Sequence, residues 1–244
     1  MTIPTEAVAV PERVTALSRG ADLTCVWRND DGGLTFRATG VGEPFYIKWG
    51  PRILESSMRD EAERLRWASQ WVPVPTVLDS GEDETHEWLV TAGIDGLSAV
   101  DPRWTAEPET AVRAVGEGLR AMHDALPVAE CPWEWSVPER IANAERRGIV
   151  VPASLRTPPP VDLLVVSHGD ACVPNTLVGE DGRWVAHVDL AQLGVADRWA
   201  DVAVASMSTE WNFGPGWEDA LIEAYGLEPD RERLAYYRDL WNAT

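Results

Sequence analysis

The sequence predicts an α+β chain in two lobes, a small antiparallel sheet carrying one helix followed by a larger, mainly helical lobe. Three observations predict it. Short β-rich runs split by turn residues fill most of the first ninety positions. Helical periodicity takes over after Asp95-Gly96. Within the helical part, one apolar run and one hairpin-like stretch break the helices. The boundaries read as residues 1–91 for the first lobe, 92–96 for a hinge and 97–244 for the second lobe, and a hinge of this kind is where a ligand cleft forms.

Taken in order, Asp22 to Arg28, Leu34 to Ala38 and Phe45 to Trp49 read as three strands, joined by Asn29-Asp-Asp-Gly-Gly33 and a Gly-rich turn. A helix follows with Ser57 as N-cap and Asp60 three residues on as capping-box partner. Its apolar stripe runs Met58, Leu65, Ala68, Val72, and Glu61 falls on that same stripe, while Arg59, Asp60, Glu63, Arg64 and Arg66 lie off it. One carboxylate therefore points inward. Val72-Pro-Val-Pro75 forces extended backbone and ends the helix. Thr76 to Leu78 and Glu87 to Thr91 are two further strands, separated by Asp79-Ser-Gly-Glu-Asp83.

In the second part, Val112, Val115, Leu119, Met122 and Leu126 mark a helix over Pro108 to Leu126, and a shorter one covers Pro138 to Arg147. Pro152 to Pro160 is a connector. Leu163 to Ser167 reads as a buried strand running into His168-Gly169-Asp170. Thr176 to Val178 and Trp184 to Asp189 form a hairpin around Glu180-Asp-Gly182. The remainder is helical, including Trp217 to Tyr225, ended by Gly226, and Arg231 to Asn242.

The 244 residues carry 21 basic and 40 acidic side chains, a formal charge of −19. With no basic stretch, nucleic acid and anionic membrane surfaces are excluded as main partners, and a cationic ligand is favoured. Met1 to Val10 has no basic start or long apolar core, and no apolar stretch approaches the roughly 20 residues that cross a bilayer, so a soluble, cytoplasmic protein is expected. Three widely spaced cysteines, Cys25, Cys131 and Cys172, make no disulfide framework or zinc knuckle. Of the basic residues, twenty are arginine. The single lysine, Lys48, sits in the strand-like run Phe45-Tyr-Ile-Lys-Trp49, which invites a role that needs a compact ammonium.

A chemical pattern emerges from Asp170, Asn175 five residues later, and Asp189 at the end of the hairpin. An Asp in a loop leaving a buried strand can orient an attacking hydroxyl. The Asn and the second Asp can offer oxygens to Mg²⁺, the hard ion that bridges ATP phosphates. Singly, each has an ordinary reading: Lys48 as a snorkelling strand residue, Glu61 as a half-exposed helix residue, Asp189 as a strand end. Together and in chain order, Lys48, Glu61, Asp170, Asn175 and Asp189 are the parts of a phosphoryl-transfer site.

The strings His168-Gly-Asp-Ala-Cys-Val-Pro-Asn175 and His187-Val-Asp-Leu-Ala-Gln-Leu-Gly-Val-Ala-Asp-Arg-Trp-Ala-Asp201 resemble the aminoglycoside phosphotransferases, especially the 3′-phosphotransferase branch. So do Tyr46-Ile-Lys48, Asp60 to Trp67 leading to Val72-Pro-Val-Pro75, and Leu119-Arg-Ala-Met-His123. The resemblance runs from about Ser18 onward. It implies a protein-kinase-like fold whose first lobe binds the nucleotide, ATP with GTP as an alternative, and whose second lobe moves the γ-phosphoryl to a hydroxyl of a small cationic antibiotic. By position it implies Asp170 as catalytic residue, Asn175 and Asp189 as Mg²⁺ ligands, Lys48 as the phosphate contact and Glu61 as its partner. Thr91, Ala92, Gly93 and Ile94 would meet the adenine, and the turn from Gly20 to Thr24 would cover the phosphates. His168 would brace the catalytic loop, and Asp201 would hydrogen-bond that loop's backbone. A monomer or weak dimer is expected.

The departures from that branch fall on the acceptor side. Trp241 and Asn242 stand where the branch's tail carries acids, Gln192 replaces an arginine, and the stretch between Cys131 and His168 is short. Trp211, Trp217 and Trp241 either pack in the core or line an acceptor pocket by stacking on sugar faces. Glu107, Glu109, Glu117 and Glu130 read as a solvated face. A kinase of the same fold for another hydroxyl compound, such as a macrolide, peptide antibiotic or amino alcohol, is the alternative reading. A non-catalytic relative is disfavoured because all five phosphate-handling residues are present.

Overall fold

Turn chemistry lays out the first sheet. In the computed structural model, which describes Pro4 and residues 6–29, 31–52 and 57–244, a short helix α1 (Glu12–Leu17) precedes β1 (Asp22–Arg28), β2 (Leu34–Thr39) and β3 (Phe45–Pro51). Met1, Thr2, Ile3, Thr5 and Asp30, read above in the opening stretch and the first turn, lie outside the described residues. After helix α2 (Met58–Ala68) come β4 (Val77–Glu82) and β5 (His86–Ala92). The five strands pair in the order β1-β2-β3-β5-β4, all antiparallel. Phe36, Ala38, Phe45, Ile47 and Val90 bury one apolar cluster together with Val14 of α1. A fully buried aliphatic or aromatic side chain of this kind contributes about 1.5–3 kcal/mol.

Two boundaries differ from the sequence expectation. Helix α2 stops at Ala68 instead of running to Val72, because Pro73 excludes the residue before it from helical backbone and the Ser69 hydroxyl closes the last turn on the Arg66 carbonyl at 2.9 Å. Strand β4 continues through Asp79-Ser-Gly to Glu82, and the turn is made by Asp83, whose Oδ1 accepts the N–H groups of Thr85 and His86 at 2.9 Å each. Asp22, Leu23 and Thr24 are also not a turn. They open β1 and pair with Thr39, Ala38 and Arg37 of β2.

The chain divides into two compact units, residues up to Ser69 with Pro75–Ile94, and Gln70–Val74 with Asp95–Thr244. In the second unit, β6 (Leu97–Ser98), α3 (Pro102–Thr105), α4 (Pro108–Ala125) and α5 (Val137–Arg146) precede β7 (Leu164–Ser167). Then come the hairpin β8 (Thr176–Val178) and β9 (Trp184–His187), strand β10 (Gly194–Asp197), and helices α6 (Trp199–Phe213), α7 (Glu218–Tyr225) and α8 (Arg231–Ala243). Helix α4 packs closely on α7, since a Cβ at Gly116 would lie 2.6 Å from the Leu221 carbonyl oxygen. Gly226, at φ +92°, ends α7 in the left-handed region. Strand β7 pairs with β10 and the hairpin pairs with β6, so the residues between β7 and β9 leave a sheet, make one turn of 3₁₀ helix at Val173–Asn175 and return to a sheet.

Candidate active site

In the first unit, the β3 position of Lys48 and the inward face of α2 bring two opposite charges together. Lys48 Nζ donates to Glu61 Oε1 at 2.7 Å and to Oε2 at 2.8 Å, and Glu61 is buried. Helix α2 is held by the Ser57 hydroxyl, which accepts the Asp60 N–H at 3.0 Å. Thr91 and Ala92 finish β5, and Gly93 and Ile94 follow it. The Ala92 N–H goes to the Thr76 carbonyl and the Gly93 N–H to the Pro44 carbonyl, each at 2.8 Å. Ile94 is therefore the amide beyond the strand's own pairing.

In the second unit, the functional loop leaves β7 through a constrained glycine. Gly169 has φ +87°, and a Cβ there would lie 2.3 Å from the Gln192 carbonyl oxygen. Only glycine fits both demands. His168 and Gly169 give their backbone N–H groups to the two oxygens of one carboxylate, Asp201 of α6, at 2.5 Å and 3.0 Å. Asp201 also receives His123 Nε2 of α4 at 2.9 Å, and His123 Nδ1 meets the Tyr225 hydroxyl of α7 at 2.8 Å. Burial alone would raise the Asp201 carboxyl. The His123 hydrogen bond, the neighbouring His123 and His168 rings and the His168 N–H outweigh it and hold the group below the ordinary carboxylate range.

His168 is fully buried. Its Nε2 meets the Val188 carbonyl at 3.0 Å, which assigns the hydrogen to Nε2, and its Nδ1 accepts the Asp170 N–H at 3.3 Å. Burial, aided by the neighbouring His168, brings His187 down to about 3, so that ring is neutral near pH 7.

Asp170 stands at the centre of this loop. The Asn175 side-chain amide donates to the Asp170 carbonyl at 3.0 Å and to its Oδ2 at 3.2 Å. Its Oδ1 is buried and has no hydrogen-bond partner among the described residues. Burial raises the Asp170 carboxyl above its ordinary value. The hydrogen bond with Cys172 opposes that rise, the Asp189 carboxylate reinforces it, and His168 and Asn175 oppose it. Asp189 has φ +65°, an uncommon conformation for a residue with a Cβ.

The structure thus gathers Lys48 with Glu61 in one unit, and Asp170 with Asn175 and Asp189 in the other. The sequence reading assigned no role to two supports of the loop. His123 links Asp201 to Tyr225, and its signal was a histidine on the apolar face of a strongly periodic helix. Ser208 of α6 accepts the Val173 N–H at 3.0 Å, and Asn212 in turn donates to Ser208 Oγ at 3.2 Å. One buried serine in a helix that also buries Ser206 and Thr209 carries little signal of its own.

For a divalent cation, the donors fit by type. The Asn175 amide nitrogen is spent on Asp170, which presents its side-chain oxygen as the remaining ligand atom, and Asp189 adds a carboxylate. No group of three or more His, Cys, Asp or Glu able to cage a metal occurs among the described residues. Two oxygens completed by phosphate and water suit Mg²⁺, which seldom takes an all-protein cage.

A family model described as "Phosphotransferase enzyme family" matches residues 14–237. An aminoglycoside 3′-phosphotransferase of Streptomyces fradiae is 36% identical over 86% of this chain and 90% of its own length. The crystal structure of a type VIII aminoglycoside-3′-phosphotransferase superposes with a TM-score of 0.78 at 28% identity, covering 95% of this chain and 97% of that one. A Streptomyces rimosus aminoglycoside phosphotransferase in complex with ADP and streptomycin gives a TM-score of 0.66 at 24% identity, covering 88% and 94%.

Proposed function

The chain belongs to the phosphotransferase enzyme family, and from that premise we propose that it is an ATP- and Mg²⁺-dependent aminoglycoside O-phosphotransferase acting at the 3′-hydroxyl, a reaction that confers resistance to the drug. The observation that carries this reading is Asp170 itself: a carboxylate with one oxygen held by Asn175 and the other buried without a partner among the described residues, on a loop pinned by Asp201.

Phosphoryl transfer asks little covalent help of a protein, so alignment and charge neutralisation do most of the catalysis. When bound, MgATP supplies the phosphoryl group and the cation that offsets its charge. Asp170 Oδ1 accepts the hydrogen of the acceptor hydroxyl and aims its oxygen at the γ-phosphorus. The raised proton affinity of Asp170 suits it to take that proton as the new P–O bond forms and the β–γ bridge breaks. Asn175 and Asp189 would hold the cation, each through a side-chain oxygen. Lys48, kept in place by Glu61, places an ammonium against the α- and β-phosphates, and the Ile94 N–H offers the adenine a donor. The lone lysine of an arginine-rich chain is thereby explained, since a compact ammonium on a strand can approach the phosphates where a guanidinium fork is too large.

A coupled assay of ADP release across kanamycin, neomycin, erythromycin and choline, with Asp170→Ala as the blank, tests the reading. ADP release stimulated by kanamycin and neomycin supports it. Stimulation by erythromycin or choline alone would transfer the activity to another class of hydroxyl acceptor.

A further inference from the structure

We propose that Trp211 and Trp241 form an aromatic platform that takes one face of an amino-sugar ring of the acceptor, making them specificity-determining residues of the second unit. The proposal rests on the phosphotransferase reading above. Ten large hydrophobic side chains are exposed among the described residues, and Trp211, at 54%, is the sole aromatic among them. It does not stand alone. Its ring centroid lies 5.4 Å from that of Trp241, with the planes inclined at 45°. Trp211 is exposed and Trp241 half-buried against it, so the pair presents apolar ring surface to solvent, a costly arrangement with no ligand to cover it.

The platform's position ties it to the reacting loop. Trp211 follows Ser208 by three residues on α6, one helical turn and roughly 4.5 Å along the same face. Ser208 is the residue that accepts the Val173 N–H, and its hydroxyl also meets the thiol of Cys172, which in turn hydrogen-bonds Asp170. The indoles therefore stand one helical turn beyond a serine that supports the loop carrying Asp170. The platform is also rigid. Arg140 of α5 donates to the Thr244 hydroxyl at 3.1 Å, Arg147 donates to the Thr244 carbonyl, and the Thr244 hydroxyl closes on Leu240 at 2.7 Å, which pins the end of α8 that carries Trp241.

The charge around the platform selects the ligand. Residues 91–244 carry 12 basic and 25 acidic side chains, a charge of −13, and Glu210 of α6 and Asp239 of α8, the helices that carry the two indoles, are exposed. An anionic ligand is disfavoured there. A saturated sugar ring offers C–H groups to an indole face, and its ammonium substituents add a cation–π attraction.

Steady-state kinetics with MgATP and neomycin, on the full chain and on Trp211→Ala, Trp241→Ala and Trp211→Phe, tests this, alongside calorimetric titration of neomycin and the molar mass in solution. In each alanine variant the neomycin KM and dissociation constant rise by roughly five- to tenfold, while kcat and the ATP KM stay within about twofold, and Trp211→Phe recovers most of the loss. Unchanged neomycin binding in both alanine variants overturns the platform. So does an ATP KM that rises in parallel, which marks a merely structural role, and so does a fall in molar mass, which marks an interface between two copies. If the unaltered chain binds neomycin without phosphorylating it, the functional reading fails, and the alanine variants still decide the platform by titration. If it does not bind neomycin, both fall.

Discussion

Asp201 does at the scale of one residue what a helix cap does for an element: a single carboxylate satisfies two consecutive buried N–H groups of the His168-Gly169 turn and is itself held by His123. Its depressed proton affinity sets the sign of a pH effect. A carboxyl whose folded value lies below its unfolded value near 3.9 stabilises the fold above that unfolded value. That contribution is lost as pH falls through the lower folded value. Asp201→Asn keeps the shape and removes the charge, so at neutral pH it should cost about 2–3 kcal/mol, the worth of hydrogen bonds to a charged group. The difference from the unaltered chain should shrink as pH is lowered below about 4. Urea titrations of both proteins over that range check it, and parallel curves at every pH contradict the assignment. Gly169 is the matching backbone case, since its conformation and the nearby Gln192 carbonyl leave no room for any side chain.

At the scale of elements, strand β3 and helix α2 act as one device for holding an ammonium. Removing the charge with Lys48→Met should raise the ATP KM by roughly tenfold or more, the equivalent of about 1.4 kcal/mol per tenfold, and leave the acceptor KM within about twofold. Steady-state kinetics in each substrate separates the two, and an acceptor KM that moves as far as the ATP KM would argue for general loosening of the sheet. Much of this device was legible in the residues. The stripe Met58, Leu65, Ala68 placed Glu61 inward, and β-rich runs split by glycine turns laid out four of the five strand positions closely. The rest was hidden for physical reasons. Strand β4 outran its reading because Ser80-Gly81 looks like a turn, whereas the real turn is a side-chain cap by Asp83 that composition does not announce. Helix α1 and strands β6 and β10 are too short for periodicity to register, and they exist through partners distant in sequence. The loop supports from His123, Tyr225 and Ser208 come from three helices, and only tertiary structure brings them to one loop.

For the whole molecule, charge is the property that spans both units, and it is uneven. Residues 1–90 hold 9 basic and 15 acidic side chains, a charge of −6, against −13 for the remainder. A field of that sign raises the local concentration of a polycationic acceptor and is screened by salt. Raising ionic strength from roughly 0.01 M to roughly 0.15 M should therefore increase the KM for an aminoglycoside severalfold, with kcat nearly constant. A KM insensitive to salt would show that contacts at short range, such as those of Trp211 and Trp241, dominate recognition. No helix among the described residues is long and apolar enough to cross a membrane. The central claim is that Asp170 directs the γ-phosphoryl of ATP onto a 3′-oxygen, and product analysis by mass spectrometry and NMR tests it most directly. With kanamycin, the unaltered chain should yield a product carrying one phosphoryl group on the 3′-oxygen, a 3′-deoxy aminoglycoside should remain unmodified, and Asp170→Ala should form product slower by orders of magnitude while still binding MgATP. Phosphorylated kanamycin formed by Asp170→Ala at the rate of the unaltered chain, or no phosphorylated kanamycin from the unaltered chain, would contradict it.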